Sequence, residues 1–189
     1  MDEVTRFVME FGKSLNLETR QDKVGNVLIR KPATKGYEHA RMVILQSHLD
    51  MVPQKNADVA HDFTKDPIQA YIDGEWVKAR STTLGADNGI GCAMMMAVLE
   101  DESLEHPAIE ALFTIDEEVG MDGANGLEKG FLEGSLMLNL DTEEEGELCI
   151  GCAGGRNVNA SFRYKPVTEI DMGDIAFKVS LRGLKGGHS

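Results

Sequence analysis

His48 and Asp50 stand two residues apart at the end of an apolar run, and the carboxylates Asp116-Glu117-Glu118 follow a second run, Ala111-Leu112-Phe113. Asp141 closes a third, Leu136-Met137-Leu138-Asn139-Leu140, and Asp87 lies in a glycine-rich bend, Leu84-Gly85-Ala86-Asp87-Asn88-Gly89-Ile90-Gly91. Adjacent carboxylates at the mouth of a buried strand repel one another and lose hydration, so something positive should offset them. A divalent cation is the usual answer. One imidazole among carboxylates suits zinc, with cobalt or manganese as alternatives. Residues two apart on an extended backbone share a side, which lets Asp50 accept the second ring N–H of His48 and fix its tautomer. A carboxylate at a tight bend, such as Asp87, can offer one oxygen to each of two cations, and two metals about 3.5–4 Å apart form a common hydrolytic clamp. Each group also has a plainer reading: a solvated acidic loop, a hydrogen-bonded His-x-Asp pair, and for Asp87 a helix N-cap. Convergence separates the two sets of readings, because ligands of open α/β sheets bind beyond the carboxyl ends of the strands.

The elements that must do this positioning are legible as periodicities. Val4, Phe7, Val8 and Phe11 fall at helical spacing and predict an amphipathic helix ending near Gly12. Gly25-Asn26 is a turn signal before a strand at Val27-Leu28-Ile29-Arg30. Met42-Val43-Ile44-Leu45 and residues 109–115 read as strands covered on both faces, as does Leu136–Leu140. Tyr71–Val77 predicts a hairpin on an Asp-Gly turn, with Trp76 packed on it. A helix is expected from about Ile90 to Asp101, its Met94, Met95 and Met96 serving as core filler, and a short one over Leu127–Leu132. Strands alternating with helices indicate an α/β domain with a mostly parallel central sheet flanked by helices. The pattern breaks around Arg163–Thr168, and Ile175–Leu181 starts a new alternating strand. The expected division is therefore an α/β domain over 1–166 and, over 167–189, the first strand of a second domain.

Composition excludes some classes. A net charge of −13 argues against nucleic acid, whose affinity rests on clustered Lys and Arg, and against anionic membrane. Three cysteines without regular spacing, and an acidic start lacking a signal-peptide layout, fit a cytoplasmic protein. Cys149-Ile150-Gly151-Cys152 lacks the helix of a redox motif, and Glu143, Glu144 and Glu145 read as a solvated run. His39, His61 and His106 fall in polar loops and are expected at the surface.

Four motifs occur in order: Gln46-Ser47-His48-Leu49-Asp50-Met51-Val52-Pro53, Thr83–Gly91, Asp116-Glu117-Glu118-Val119-Gly120-Met121-Asp122-Gly123-Ala124 and Asn139–Glu147. Together they resemble the aminoacyl-histidine dipeptidases (peptidase D, cytosol non-specific dipeptidase), a branch of the zinc-dependent aminoacylase and carboxypeptidase clan. The resemblance implies hydrolysis of dipeptides, including Xaa-His, by water activated between two zinc ions. It makes His48, Asp87, Glu118 and Asp141 the metal ligands, with Asp87 bridging and a cis peptide after it. Asp50 would orient His48, Glu117 would be the general base, and His188 would match a lid histidine that polarises the scissile carbonyl. The resemblance also makes 1–166 the catalytic domain and 167–189 the first strand of an α+β lid domain, and the expected partners are a short peptide substrate and a second copy of the chain through that lid. Relative to the family the chain is short at both ends and lacks a final downstream metal histidine, so it reads as a fragment with an incomplete metal site. The alternatives are another hydrolase of the clan, an aminoacylase or carboxypeptidase, or an inactive fragment. Glu117 and Glu118 can share one site only if the backbone turns there, and Val119-Gly120 is the expected turn.

Overall fold

The computed structural model describes residues 2–142, 144, 146–151, 159–165 and 172–180. It divides into a unit over 1–143, which carries every helix and strand of the described residues, and a unit over 144–189.

The first unit is built on a five-stranded sheet of β1 (Glu18–Gln21), β2 (Val27–Lys31), β3 (Val43–His48), β6 (Ile109–Thr114) and β7 (Leu136–Asn139), in the order β1-β2-β6-β3-β7. The α/β class expected from the alternation is present, and the sheet is mixed. Strands β3, β6 and β7 run parallel, whereas β1 and β2 are antiparallel additions beside β6. The parallel set matters for function, since His48 pairs with Thr114 and Gln46 with Asn139, bringing three strand ends to one edge.

Alternation along these strands fills two cores, which is why they read as continuous apolar runs. Val27, Ile29, Leu45, Ile109, Ala111 and Phe113 face helices α1 (Asp2–Ser14) and α2 (Ala86–Glu100), which contribute Val8, Met95 and Leu99. Leu28, Ile44 and Leu112 face the other way, against Leu127, Phe131 and Leu132. In α1 the packed residues are Val8, Met9 and Phe11, with Leu15 just beyond its end, while Val4 and Phe7 are exposed. Of the three methionines in α2 only Met95 is buried; Met94 is exposed.

Several expectations are corrected. Leu127–Leu132 is not a helix. Its apolar residues still pack, but Gly130 has a positive φ, and the N–H groups of Glu133 and Gly134 donate to the buried Glu110 carboxylate. Glu110 is itself paired with Arg30, at 2.8–2.9 Å. That pair fixes the loop beneath the sheet, where no helix is needed. The hairpin of β4 (Ala70–Asp73) and β5 (Trp76–Ala79) turns on Gly74-Glu75, and Trp76 is 70% exposed rather than packed. β7 lies at the sheet edge, so Leu136, Met137 and Leu138 are half exposed instead of buried. His106 is buried, not at the surface: Thr34 bonds both its N–H and its carbonyl, and its ring lies against the Pro107 carbonyl.

In the second unit the described residues form no helix or strand. The strand expected over Ile175–Leu181 is absent across 175–180, whose side chains are exposed. Alternating sequence makes a strand only when another strand accepts its hydrogen bonds, and none among the described residues does so there. Pro166, Leu181 and His188 lie outside the described residues, as do Glu143, Glu145 and Cys152.

Candidate metal centre

His48 ends β3 with its ring 1% exposed. Its Nε2 lies 3.1 Å from Asp87 Oδ1 and 3.6 Å from Asp141 Oδ1. On the other side its Nδ1 lies 3.0 Å from the Asp50 carbonyl oxygen and 3.4 Å from Asp50 Oδ1. Asp50 thus reaches the ring as expected, by backbone and by side chain.

The Asp50 carboxylate has a second task that the motif did not reveal. Its two oxygens accept the backbone N–H groups of Glu117 and Glu118, both at 3.0 Å. Those are the first residues of α3 (Glu117–Gly120), whose N-terminal N–H groups lack partners within the helix. The turn that lets both glutamates face one site comes before them, not at Val119-Gly120: Asp116 takes a left-handed φ of 53° and swings the chain off β6. A further short helix, α4 (Asp122–Asn125), follows.

The loop is anchored from behind by Asn26, which is fully buried. Its Nδ2 donates to the Gly123 carbonyl and to Asp22 Oδ2, and its Oδ1 accepts the Ile115 N–H. Gly123 is required there, because a Cβ would fall 2.5 Å from the Ile115 carbonyl oxygen and against Asn26 Oδ1. Read as sequence, Gly25-Asn26 signalled only a turn; the clamp depends on a residue far away in the chain.

Asp87 enters from the start of α2, where its backbone and that of Asn88 are not yet helical and the peptide between them is cis. Asp141 follows β7, held in line by Leu140 N–H donating to the Gln46 carbonyl at 2.9 Å. The donor atoms of His48, Asp87 and Asp141 all lie within 4.8 Å of one another, and so do those of His48, Glu117 and Glu118. An imidazole with carboxylate oxygens at this spacing could hold a divalent cation of the zinc, cobalt or manganese type. The five groups, with Asp50, are therefore brought together; His188 cannot be placed.

The electrostatics match the crowding. Burial pushes the His48 pKa down, but the Asp141 and Asp50 carboxylates, with the Asp87 contact, outweigh it and hold the ring above its ordinary value. Asp141 is raised, first by burial and then by Asp87 and Glu117, although His48 opposes the shift. Cys92, one turn into α2, donates its thiol to the His48 carbonyl at 3.2 Å, and burial with Asp141 and Asp50 nearby drives its pKa up to about 12. Beside Glu117 and Asp141 a cavity of about 170 Å³ opens over Gln46, Leu112, Thr114 and Met137.

Residues 44–174 match the family described as peptidase family M20/M25/M40. Across 188 residues, 100% of the chain, it is 53% identical to the cytosol non-specific dipeptidase of Escherichia coli, of which it spans 39%. The crystal structure of aminoacylhistidine dipeptidase from Vibrio alginolyticus superposes at a TM-score of 0.74 with 55% identity, over 76% of this chain and 29% of that one. The aminopeptidase PepT of Bacillus cereus shares the fold, at a TM-score of 0.59 and 23% identity over 74% of this chain and 37% of that one. The chain belongs to peptidase family M20/M25/M40.

Proposed function

We propose that this chain carries the metal centre of a metallo-dipeptidase that cleaves dipeptides, Xaa-His among them, in the cytoplasm. The observation that carries the reading is the convergence of His48, Asp87, Asp141, Glu117 and Glu118 at the ends of parallel strands. In this reading the site takes two divalent cations, zinc first, with cobalt or manganese as substitutes. His48, Asp87, Asp141 and Glu118 would hold them, with Asp87 shared between the two. When bound, the cations acidify a coordinated water and polarise the scissile carbonyl.

The remaining work falls to the chain's own groups. Glu117 takes the proton of the attacking water and returns it to the leaving amine. Asp50 holds the His48 ring from its Nδ1 side through its backbone carbonyl and the backbone of both glutamates through its two carboxylate oxygens, so one residue sets three donors at once. The cavity beside Glu117 and Asp141, with the amide of Gln46 and the hydroxyl of Thr114 on a partly apolar wall, suits one side chain of a short peptide. His188 is assigned to the substrate carbonyl on the motif alone, and the lid over 167–189 would pair with a second copy.

Glu117→Gln decides between base and ligand. It should keep the metal stoichiometry and abolish hydrolysis of Xaa-His dipeptides; loss of one cation would make Glu117 a ligand and move the base elsewhere. Comparing Xaa-His dipeptides with N-acyl amino acids as substrates separates a dipeptidase from an aminoacylase or carboxypeptidase. A second reading is a metal-binding module without turnover of its own. Fewer than two cations per chain with no hydrolysis would establish it.

A further inference from the structure

The three segments that deliver His48, Asp87 and Asp141 meet at one point, the α-carbon of Gly91. A Cβ built there would lie no farther than 2.5 Å from Asn88 Oδ1, Ser47 Oγ and the Leu140 carbonyl oxygen, inside the 3.0 Å that real Cβ atoms respect. Each of those atoms belongs to a sequence neighbour of a proposed ligand: Ser47 precedes His48, Asn88 follows Asp87, and Leu140 precedes Asp141. Ser47 and Asn88 are 0% and 3% exposed. Asn88 Oδ1 accepts the Gly91 N–H at 3.1 Å, whereas Ser47 Oγ and Asn88 Nδ2 find no partner among the described residues. Buried polar atoms left unpaired cost stability, so this arrangement is not one that stability alone would select.

We infer that Gly91 and Asn88 are positioning residues of the metal centre, setting the mutual spacing of His48, Asp87 and Asp141 by letting β3, β7 and the start of α2 close to backbone contact. The inference rests on the proposed metal site. Any side chain at position 91 must push at least one strand end away, and that strand end carries a ligand. Asn88 fixes the entry to α2 by tying its own side chain to the Gly91 N–H, one residue after Asp87.

The test compares Gly91→Ala and Asn88→Ala with Gly134→Ala in the whole chain, using Co2+ alone as the probe. Gly134 is also crowded, its Cβ falling 2.6 Å from Ile44 Cγ1, but it lies away from the ligands. Displaced support of a metal ligand weakens binding by about 10–100-fold, and Gly91→Ala and Asn88→Ala should show that loss with an altered visible absorption of the bound Co2+. Gly134→Ala should lower the urea midpoint and leave affinity and spectrum alone. Co2+ affinity within about twofold of the parent chain, with the same spectrum, in either site variant that folds would overturn the inference. The ¹⁵N resonances of the His48 ring in the metal-free chain give a second readout that needs no metal. They should move in Gly91→Ala and Asn88→Ala but not in Gly134→Ala; unmoved resonances overturn the inference. A parent chain that takes up no Co2+ would remove the metal reading itself, and the ring resonances would still decide the positioning.

Discussion

Asp50→Asn is the most informative single change, because one carboxylate serves both halves of the site. Its oxygens accept the Glu117 and Glu118 N–H groups at 3.0 Å, and Oδ1 lies 3.4 Å from His48 Nδ1. The substitution keeps the volume and one acceptor but turns an amide NH2 toward one of the two backbone donors. A hydrogen bond to a charged acceptor contributes about 1.5–3 kcal/mol, and a buried donor left unpaired costs about 1–3 kcal/mol. The Asp50 side chain is 9% exposed, so water cannot take over the lost contact cheaply. The loss falls on the first turn of α3, which carries Glu117 and Glu118, and on the tautomer of His48. Zinc affinity should therefore drop by about 10–100-fold, equivalent to about 1.4–2.8 kcal/mol. Urea unfolding of the metal-free chain should register a comparable loss. A competition titration of Zn2+ against a chromophoric chelator measures the affinity directly. Unchanged zinc affinity alongside reduced stability would make Asp50 a structural cap and refute its role in shaping the site.

Other outcomes follow from the same geometry. His48 and Asp141 both carry raised pKa values in the metal-free chain, so each contributes stability below its unfolded value, about 6.5 and 3.9, that is lost as pH rises through the folded value. A cation replaces those protons, so the rise in Tm on adding Zn2+ should grow from pH 6 to pH 8; a constant increment would contradict the assignment. Asn26→Ala strands the Ile115 N–H and the Gly123 carbonyl in a buried place, and the urea midpoint should fall by the equivalent of about 2–4 kcal/mol, with no drop arguing against the clamp. Cys92, its pKa pushed up to about 12, should resist iodoacetamide at pH 8 while exposed Cys149 is alkylated; peptide mapping showing Cys92 labelled in the folded chain would mean that α2 opens at the site.

What the sequence made legible were the parts of the site that obey local rules. Apolar runs covered on both faces announced β3 and β6, and the polar residues closing them announced the crevice, because a parallel strand must end where its ligands can gather. Asp87 was legible through the glycines around it. What stayed hidden depends on partners distant in the chain. Asn26 looked like half of a turn, and only Gly123 and Ile115, about ninety residues away, make it a clamp. The Leu127–Leu132 segment has a helix-like pattern, yet the Glu110 carboxylate draws off its following N–H groups and the chain settles as a loop. β7 has a buried strand's composition at a sheet edge, where composition alone does not report exposure.

The charge count explains why these groups were worth bringing together. Asp50 is already engaged within the fold, by two backbone donors and the His48 ring. Asp87, Asp141, Glu117 and Glu118 remain around one imidazole, and the pKa of Asp141 is raised first by burial and then by Asp87 and Glu117. Two divalent ions carry the four positive charges that would balance those four carboxylates, whereas one ion would leave half the repulsion in place. If Zn2+ titration of the chain and of Glu118→Gln gave the same stoichiometry, Glu118 would be outside the coordination sphere and the balance would have to be struck another way. A loss confined to the weaker of two binding steps is the result that the count requires.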